Sequence, residues 1–147
     1  MLRRKRKMIV NSTKIIFTAI SENEAYARMA VTAFMSSLDP TVNEMCDIKT
    51  AVSEAVTNCI VHGYKEKSGN VTIYARISDK RKITITIKDR GCGIGDIEKA
   101  QEPLFTTCTN GERAGLGFAL MKEVCDKITV KSELNKGTTV TLYKQLT

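Results

Sequence analysis

The 147-residue chain is 42% apolar and 27% charged, the proportions of one globular domain with a single core rather than of a fibrous or disordered chain. Its net charge is +7, but five basic residues are Arg3, Arg4, Lys5, Arg6 and Lys7, and setting those five aside leaves +2, too little for a nucleic-acid-binding face, so no direct nucleic-acid partner is expected. No apolar run approaches the ~18 residues of a membrane span, so no membrane partner is expected, and five scattered cysteines with no Cys-x-x-Cys pair argue against a zinc or redox motif and for free thiols in a reducing, cytoplasmic setting.

In chain order, residues 1–12 read as a basic, disordered extension and residues 13–147 as one domain. Asn11, Ser12, Thr13 and Lys14 interrupt any secretory apolar core. Thr13 to Ile20 reads as a strand. Ser21, with Glu24 three residues on, has the spacing of a capping box, so a helix is expected from about Glu22 to Leu38. Asp39-Pro40 gives the next start signal, a capping carboxylate before a proline. The second helix is expected to run to Gly63 as its C-terminal cap, with Val42, Met45, Val52, Val56, Cys59 and Ile60 on its buried side. Val71–Ser78 and Ile83–Lys88 read as strands joined by a polar turn, and Ile97–Gln101 as a short helical piece. Glu102 to Ala114 is a long polar stretch of the sort that forms lids; Cys108 within it is the cysteine expected to be most reactive. Leu116–Asp126 reads as a helix. Ile128–Glu133 and Thr138–Leu142 read as a hairpin through Asn135-Lys136-Gly137. The order β-α-α-β-β-α-β-β predicts a two-layer α/β sandwich, a mostly antiparallel sheet with helices on one face.

Three short motifs carry chemistry. Glu54, Asn58 and His62 fall at i, i+4 and i+8, one stripe of the second helix. An amide oxygen at Asn58 can hold magnesium beside phosphate, and a carboxylate at Glu54 can take a proton from an attacking hydroxyl; by spacing alone the stripe is more readily a solvated helix face. Asp89 follows Ile83, Ile85 and Ile87 in the same period of two, which turns it inward, where a carboxylate needs donors. The chain itself or a purine amino group with a water can supply them. Gly91 and Gly93 allow the backbone to approach a flat ligand. Thr138 shares the inward phase of Val140 and Leu142 and can join a water network there, or simply mark a hairpin exit. Gly115-Leu116-Gly117 opens a helix whose free amides suit phosphate, with Arg113 just ahead of it. No P-loop and no protein-kinase glycine loop with its catalytic His-Arg-Asp is present.

With these motifs in this order, the chain resembles the GHKL superfamily of ATPases and kinases. The N box matches Glu54 to Asn58, the first glycine box Asp89, Gly91 and Gly93, and the second Gly115 and Gly117. Within it the chain is similar to the anti-sigma F factor family of spore-forming bacteria, through Ser21 to Arg28, Leu38 to Thr41, Val52 to Asn58, His62 to Tyr64 and Pro103 to Thr107. The resemblance implies the GHKL (Bergerat) ATP-binding fold, ATP and Mg2+ as cofactors, and a homodimer. It implies inhibition of a sporulation sigma factor and phosphorylation of a serine on an anti-anti-sigma partner. Glu54 would be the general base, Asn58 the magnesium ligand, Asp89 the reader of the adenine amino group, Arg113 a γ-phosphate contact, and Arg28 part of a partner-docking surface. A detached histidine-kinase domain and a binding module using ATP only as a conformational ligand are the other readings. The first lacks a phosphoacceptor histidine outside the site, since His62 is the only one; the second leaves Glu54 without a task.

Overall fold

The computed structural model describes residues 9–65, 67–101 and 116–147; the basic run Arg3–Lys7 and the expected lid, with Cys108, Arg113 and Gly115, lie outside the described residues. The described elements are β1 (Ile9–Thr18), α1 (Asn23–Met35), α2 (Val42–Thr57), β2 (Asn70–Ser78), β3 (Lys82–Lys88), α3 (Ile97–Ala100), α4 (Leu116–Val124), β4 (Lys127–Glu133) and β5 (Gly137–Gln145). The five strands form one sheet in the order β1-β2-β3-β5-β4, every neighbouring pair antiparallel. Alternate residues of β2 and β3 are buried, and the helices cover that one face, so the expected two-layer α/β sandwich is the fold.

The central strand shows how the alternation fixes the register. Ile83, Ile85 and Ile87 are at most 1% exposed. They pair across to Ile77, Ala75 and Ile73 on β2 and to Lys144, Leu142 and Val140 on β5, so one-residue slippage would expose the whole isoleucine row. Onto that row pack Ile48, Val52 and Val56 of α2 and Met121 of α4. Lys144, at the end of the row, reaches Asp47 of α2 at 2.9 Å and donates to the Val124 carbonyl at 2.6 Å.

Several boundaries differ from expectation. β1 begins at Ile9 and ends at Thr18: Asn11 and Ser12, polar enough to read as loop, are exposed on an edge strand and pair with Ile77 and Arg76. Ser21 and Glu24 do not form a capping box; no side chain caps α1, and the Glu24 carboxylate turns along the helix to accept from Arg28 at 3.3 Å. A three-residue 3-10 turn, Ser36–Leu38, closes α1. Asp39 takes φ +48° and ends that turn, so it does not start α2. The start signal is one residue past the proline: the Thr41 hydroxyl accepts from the Glu44 N–H at 3.1 Å, and Glu44 accepts from the Thr41 N–H at 2.9 Å. The second Glu44 oxygen accepts from the Thr147 N–H at 2.9 Å. These backbone donors hold the Glu44 carboxyl below the usual carboxylate range. Val42, expected inside, is 79% exposed, because the helix starts with that residue turned to solvent.

Thr41→Ala should therefore lower the unfolding free energy by about 1 kcal/mol, whereas Asp39→Gly, at a left-handed position, should leave it unchanged or raise it. Urea titrations of the two variants check which residue marks the helix start.

Candidate nucleotide-binding site

Helix α2 does not end as an α-helix. Its continuation, Asn58–Gly63, is a π-helical turn, closed by the Tyr64 N–H donating to the Cys59 carbonyl at 2.9 Å. Such widened turns recur at functional sites, because the extra residue re-aims the side chains that follow. Tyr64 anchors this one: its hydroxyl donates to the Asn70 carbonyl at 2.6 Å and accepts from the Arg90 N–H at 2.8 Å. The turn is thereby tied to the start of β2 and to the residue after Asp89. Sequence spacing gave no sign of the widening, which begins at Asn58 and takes in His62. Gly63 is not a left-handed cap. A Cβ there would lie 3.0 Å from Cγ and Oδ1 of Asp89, so the position needs glycine because the helix backbone runs against that carboxylate.

Asp89 sits where its phase with the isoleucines puts it, and is 4% exposed. Its N–H continues the β3–β5 ladder to the Thr138 carbonyl at 3.0 Å. Its Oδ1 accepts from the Gly91 N–H at 2.8 Å, and the buried Cys59 of the π-helical turn lines the same cavity. Burial pushes the Asp89 carboxyl above its ordinary value against the opposing pull of the Gly91 N–H.

The glycine loop after Asp89 is stitched on both sides. Cys92 N–H donates to the Gly63 carbonyl at 2.8 Å, and Asn135 N–H donates to the Cys92 carbonyl at 2.7 Å. Gly91 faces the Gly63 backbone so closely that a Cβ would collide with it. Gly93 takes φ +71° against the Glu133 carbonyl, a conformation and a contact that both call for glycine. The Thr138 hydroxyl is 2.8 Å from the Ser132 hydroxyl, which also accepts from the Ile94 N–H at 2.7 Å.

These elements enclose a cavity of about 390 Å³, within the size range of small-ligand sites. Asn58, Asp89, Gly93, Gly117, Phe118 and Thr138 are among its walls. Gly117 brings α4 against α2: a Cβ there would lie 3.2 Å from Oε2 of Glu54 and 3.2 Å from Oδ1 of Asn58. The first turn of α4 thus faces two hard oxygens. Leu116 is 48% exposed. Arg28 lies elsewhere, in a groove between α1 and α2 with Ser21, Glu24, Ser53 and Thr57, which shares no lining residue with the cavity. Cys59, Cys92, Tyr64, Ser132 and Phe118 were not singled out for the site by sequence; the two thiols carry no motif, and only the fold shows that they face this cavity. Cys46, Cys59, Cys92 and Cys125 are free thiols.

Among the described residues no three His, Cys, Asp or Glu side chains gather as a metal cage. The donor set at the α2–α4 contact, one amide oxygen and one carboxylate, instead fits a magnesium ion carried largely by phosphate oxygens. Among the described residues, no helix is long and apolar enough to cross a membrane.

A family model described as a histidine kinase-like ATPase domain matches residues 17–144. The anti-sigma F factor of Thermoanaerobacter sp. is 53% identical over 136 residues, which covers 92% of this chain and 94% of that protein. The chain belongs to the anti-sigma F factor family. A second member, the anti-sigma F factor of Clostridium acetobutylicum, is 51% identical over 138 residues, 94% of this chain and 96% of that one. Among solved structures, the RsbU and RsbW domains of a Mycobacterium tuberculosis protein superpose with a TM-score of 0.68 at 20% identity, covering 93% of this chain and 33% of that one. The histidine kinase domain of a blue-light activated kinase from Erythrobacter litoralis gives 0.58 at 19% identity, covering 84% of this chain and 60% of that one. These two likenesses concern the fold. The ATPase type of the anti-sigma F factor domain makes ATP the ligand to fit to the cavity.

The burial of Asp89 has a measurable consequence in the nucleotide-free protein. Because its folded-state pKa is raised, the folded chain binds more protons than the unfolded one above the ordinary value of ~3.9, and stability falls as pH rises through that window. Asp89→Asn removes the buried charge and keeps an acceptor for Gly91. The variant should therefore unfold at a higher temperature than the parent at pH 7, with the gap narrowing as pH falls toward ~4. Thermal scans between those values check the sign.

Proposed function

We propose that this chain is an ATP-dependent protein serine kinase that also acts as an anti-sigma factor. It would hold a sporulation sigma factor inactive and phosphorylate a serine of an anti-anti-sigma partner, working in the cytoplasm as a homodimer. The observation that carries the kinase reading is the pairing of Glu54 and Asn58 oxygens at the Gly117 start of α4. Pure nucleotide binding has no use for a carboxylate beside the phosphate end. The sigma-factor partner rests on the names of the relatives, and the serine substrate on the family resemblance.

In this reading Asp89 accepts from the adenine amino group, with Thr138 beside it, and Gly91 and Gly93 let the loop lie against the base. Amides of Gly115, Leu116 and Gly117 meet the polyphosphate, and Arg113 meets the γ-phosphate. Asn58 holds magnesium, which when bound neutralises phosphate charge. Glu54 takes the serine hydroxyl proton as the new O–P bond forms; the bond from the γ-phosphorus to the bridging oxygen breaks, and ADP leaves. Phosphoryl transfer depends mostly on such positioning and charge stabilisation, which a small site can supply. Arg28, in its separate groove, belongs to the partner-docking surface.

The test is phosphotransfer from labelled ATP and magnesium to a purified anti-anti-sigma protein. Acid-stable label on a partner serine is expected; label that is acid-labile and base-stable would point to histidine instead. Glu54→Ala should slow single-turnover transfer by about 10²–10⁴-fold with ATP affinity largely kept, and an unchanged rate would remove Glu54 from the mechanism. Asp89→Asn should weaken ATP binding by roughly 10–150-fold, read by equilibrium titration; equal affinity would contradict its role at the base.

A further inference from the structure

The inward rows of the last two strands change character at the same rung. On β4, Ile128 and Val130 pack against the core, and Ser132 continues their phase. On β5, Leu142 and Val140 are buried, and Thr138 continues theirs. The rows pair rung by rung: Ile128 with Leu142, Val130 with Val140, Ser132 with Thr138. The apolar ladder therefore ends in two facing hydroxyls, 2.8 Å apart, where Thr138 lines the cavity. The proton count fixes the direction of that contact. A serine hydroxyl has one hydrogen and two acceptor lone pairs. The Ser132 oxygen accepts from the Ile94 N–H at 2.7 Å. Its hydrogen goes to the Gly137 carbonyl at 3.0 Å, a group that can only accept. The Thr138 hydroxyl is then the donor to Ser132, and it has no second hydrogen to offer the cavity.

We propose that Ser132 is a positioning residue for base selection: by taking the Thr138 hydrogen it leaves Thr138 a pure acceptor, which favours a 6-aminopurine over a 6-oxopurine. This rests on the reading of the cavity as the ATP site. Asp89, whose N–H donates to the Thr138 carbonyl, lines the same cavity with a carboxylate, which also accepts. A 6-amino group brings hydrogens to such acceptors, directly or through a water. A 6-oxo group would set its own lone pairs against them. Ser132 is not among the cavity walls, so it acts through Thr138 and on the base, and not on the phosphates at the other end.

The experiment measures equilibrium binding of ATP and of inosine triphosphate, which has a 6-oxo group where ATP has the amino group, to the full parent chain, Ser132→Ala and Ser132→Thr. In Ser132→Ala the Thr138 hydrogen is released and can turn to the 6-oxo group. Inosine triphosphate should then gain on ATP, and the ratio of the two affinities should shrink by about 2–12-fold, the range of one ordinary hydrogen bond. Ser132→Thr, which keeps the hydroxyl, should keep the parent ratio. With Thr138→Val in place, adding Ser132→Ala should not move the ratio further, because Ser132 acts through the missing hydroxyl. A merely structural loss of the Ile94 and Gly137 bonds would weaken both nucleotides alike. An unchanged ratio in Ser132→Ala, a shrunken one in Ser132→Thr, or the same shrinkage with Thr138→Val in place overturns the proposal. Should Ser132→Ala not fold, Ser132→Cys, whose thiol is a weak acceptor, replaces it, and an unchanged ratio there overturns it equally. A parent chain that binds neither nucleotide, or both alike, overturns the underlying reading of the site, an outcome distinct from a selective parent indifferent to Ser132.

Discussion

A carboxylate buried at the end of an isoleucine strand governs this molecule. Asp89 occupies the inward phase of β3, where water cannot reach it freely, and a charge there is tolerated only if donors converge on it. Its partners and walls come from separate parts of the chain: the Gly91 N–H from the loop that follows, the Gly63 backbone from the end of α2, and the Thr138 carbonyl of β5, which accepts from the Asp89 N–H. Satisfying one side chain thus sets the approach of helix, loop and hairpin. The two glycines Gly63 and Gly91 let the backbones close to contact, and Tyr64 pins the joint from behind through Asn70 and Arg90.

The same residue sets stability against function. In the nucleotide-free protein the carboxylate is held against a desolvation penalty that its donors only partly offset. In the proposed site, a ligand that brings its own N–H to Asp89 would offset more of that penalty, which is how a buried polar group comes to favour a matching partner.

How much of this was legible in the sequence follows from which interactions are local. The isoleucine alternation and the inward turn of Asp89 depend on a period of two, and they were read correctly. Glu54 and Asn58 depend on a period of 3.6 and were read correctly as neighbours. Helix starts were misread where two signals lay side by side: Asp39-Pro40 and Thr41 with Glu44 are both valid caps, and only the left-handed backbone of Asp39 decides between them. The π-helical turn was invisible because it answers to Tyr64, Asn70 and Arg90, a set of contacts spread over 27 positions of the chain. Gly63 carried the right residue for the wrong reason: a cap glycine and a close-contact glycine look identical in sequence, and only the carboxylate beside it separates them. Cys59 and Cys92 gave no signal, since a thiol acquires a role only from what the fold places next to it.

The six residues of that turn also explain why two separate surfaces need not be independent. Asn58, Cys59, His62 and Gly63 line the nucleotide cavity, while Ile60 and Val61 line the groove that holds Arg28. A widened turn presents residues to both sides at once, and Tyr64 holds its far end to the sheet. Packed interiors do not deform continuously, so a displacement of the turn at the cavity is a displacement at the groove. The shared element is a physical connection between the surfaces, six residues long, and it is the same element that supplies the glycine against which Asp89 is set.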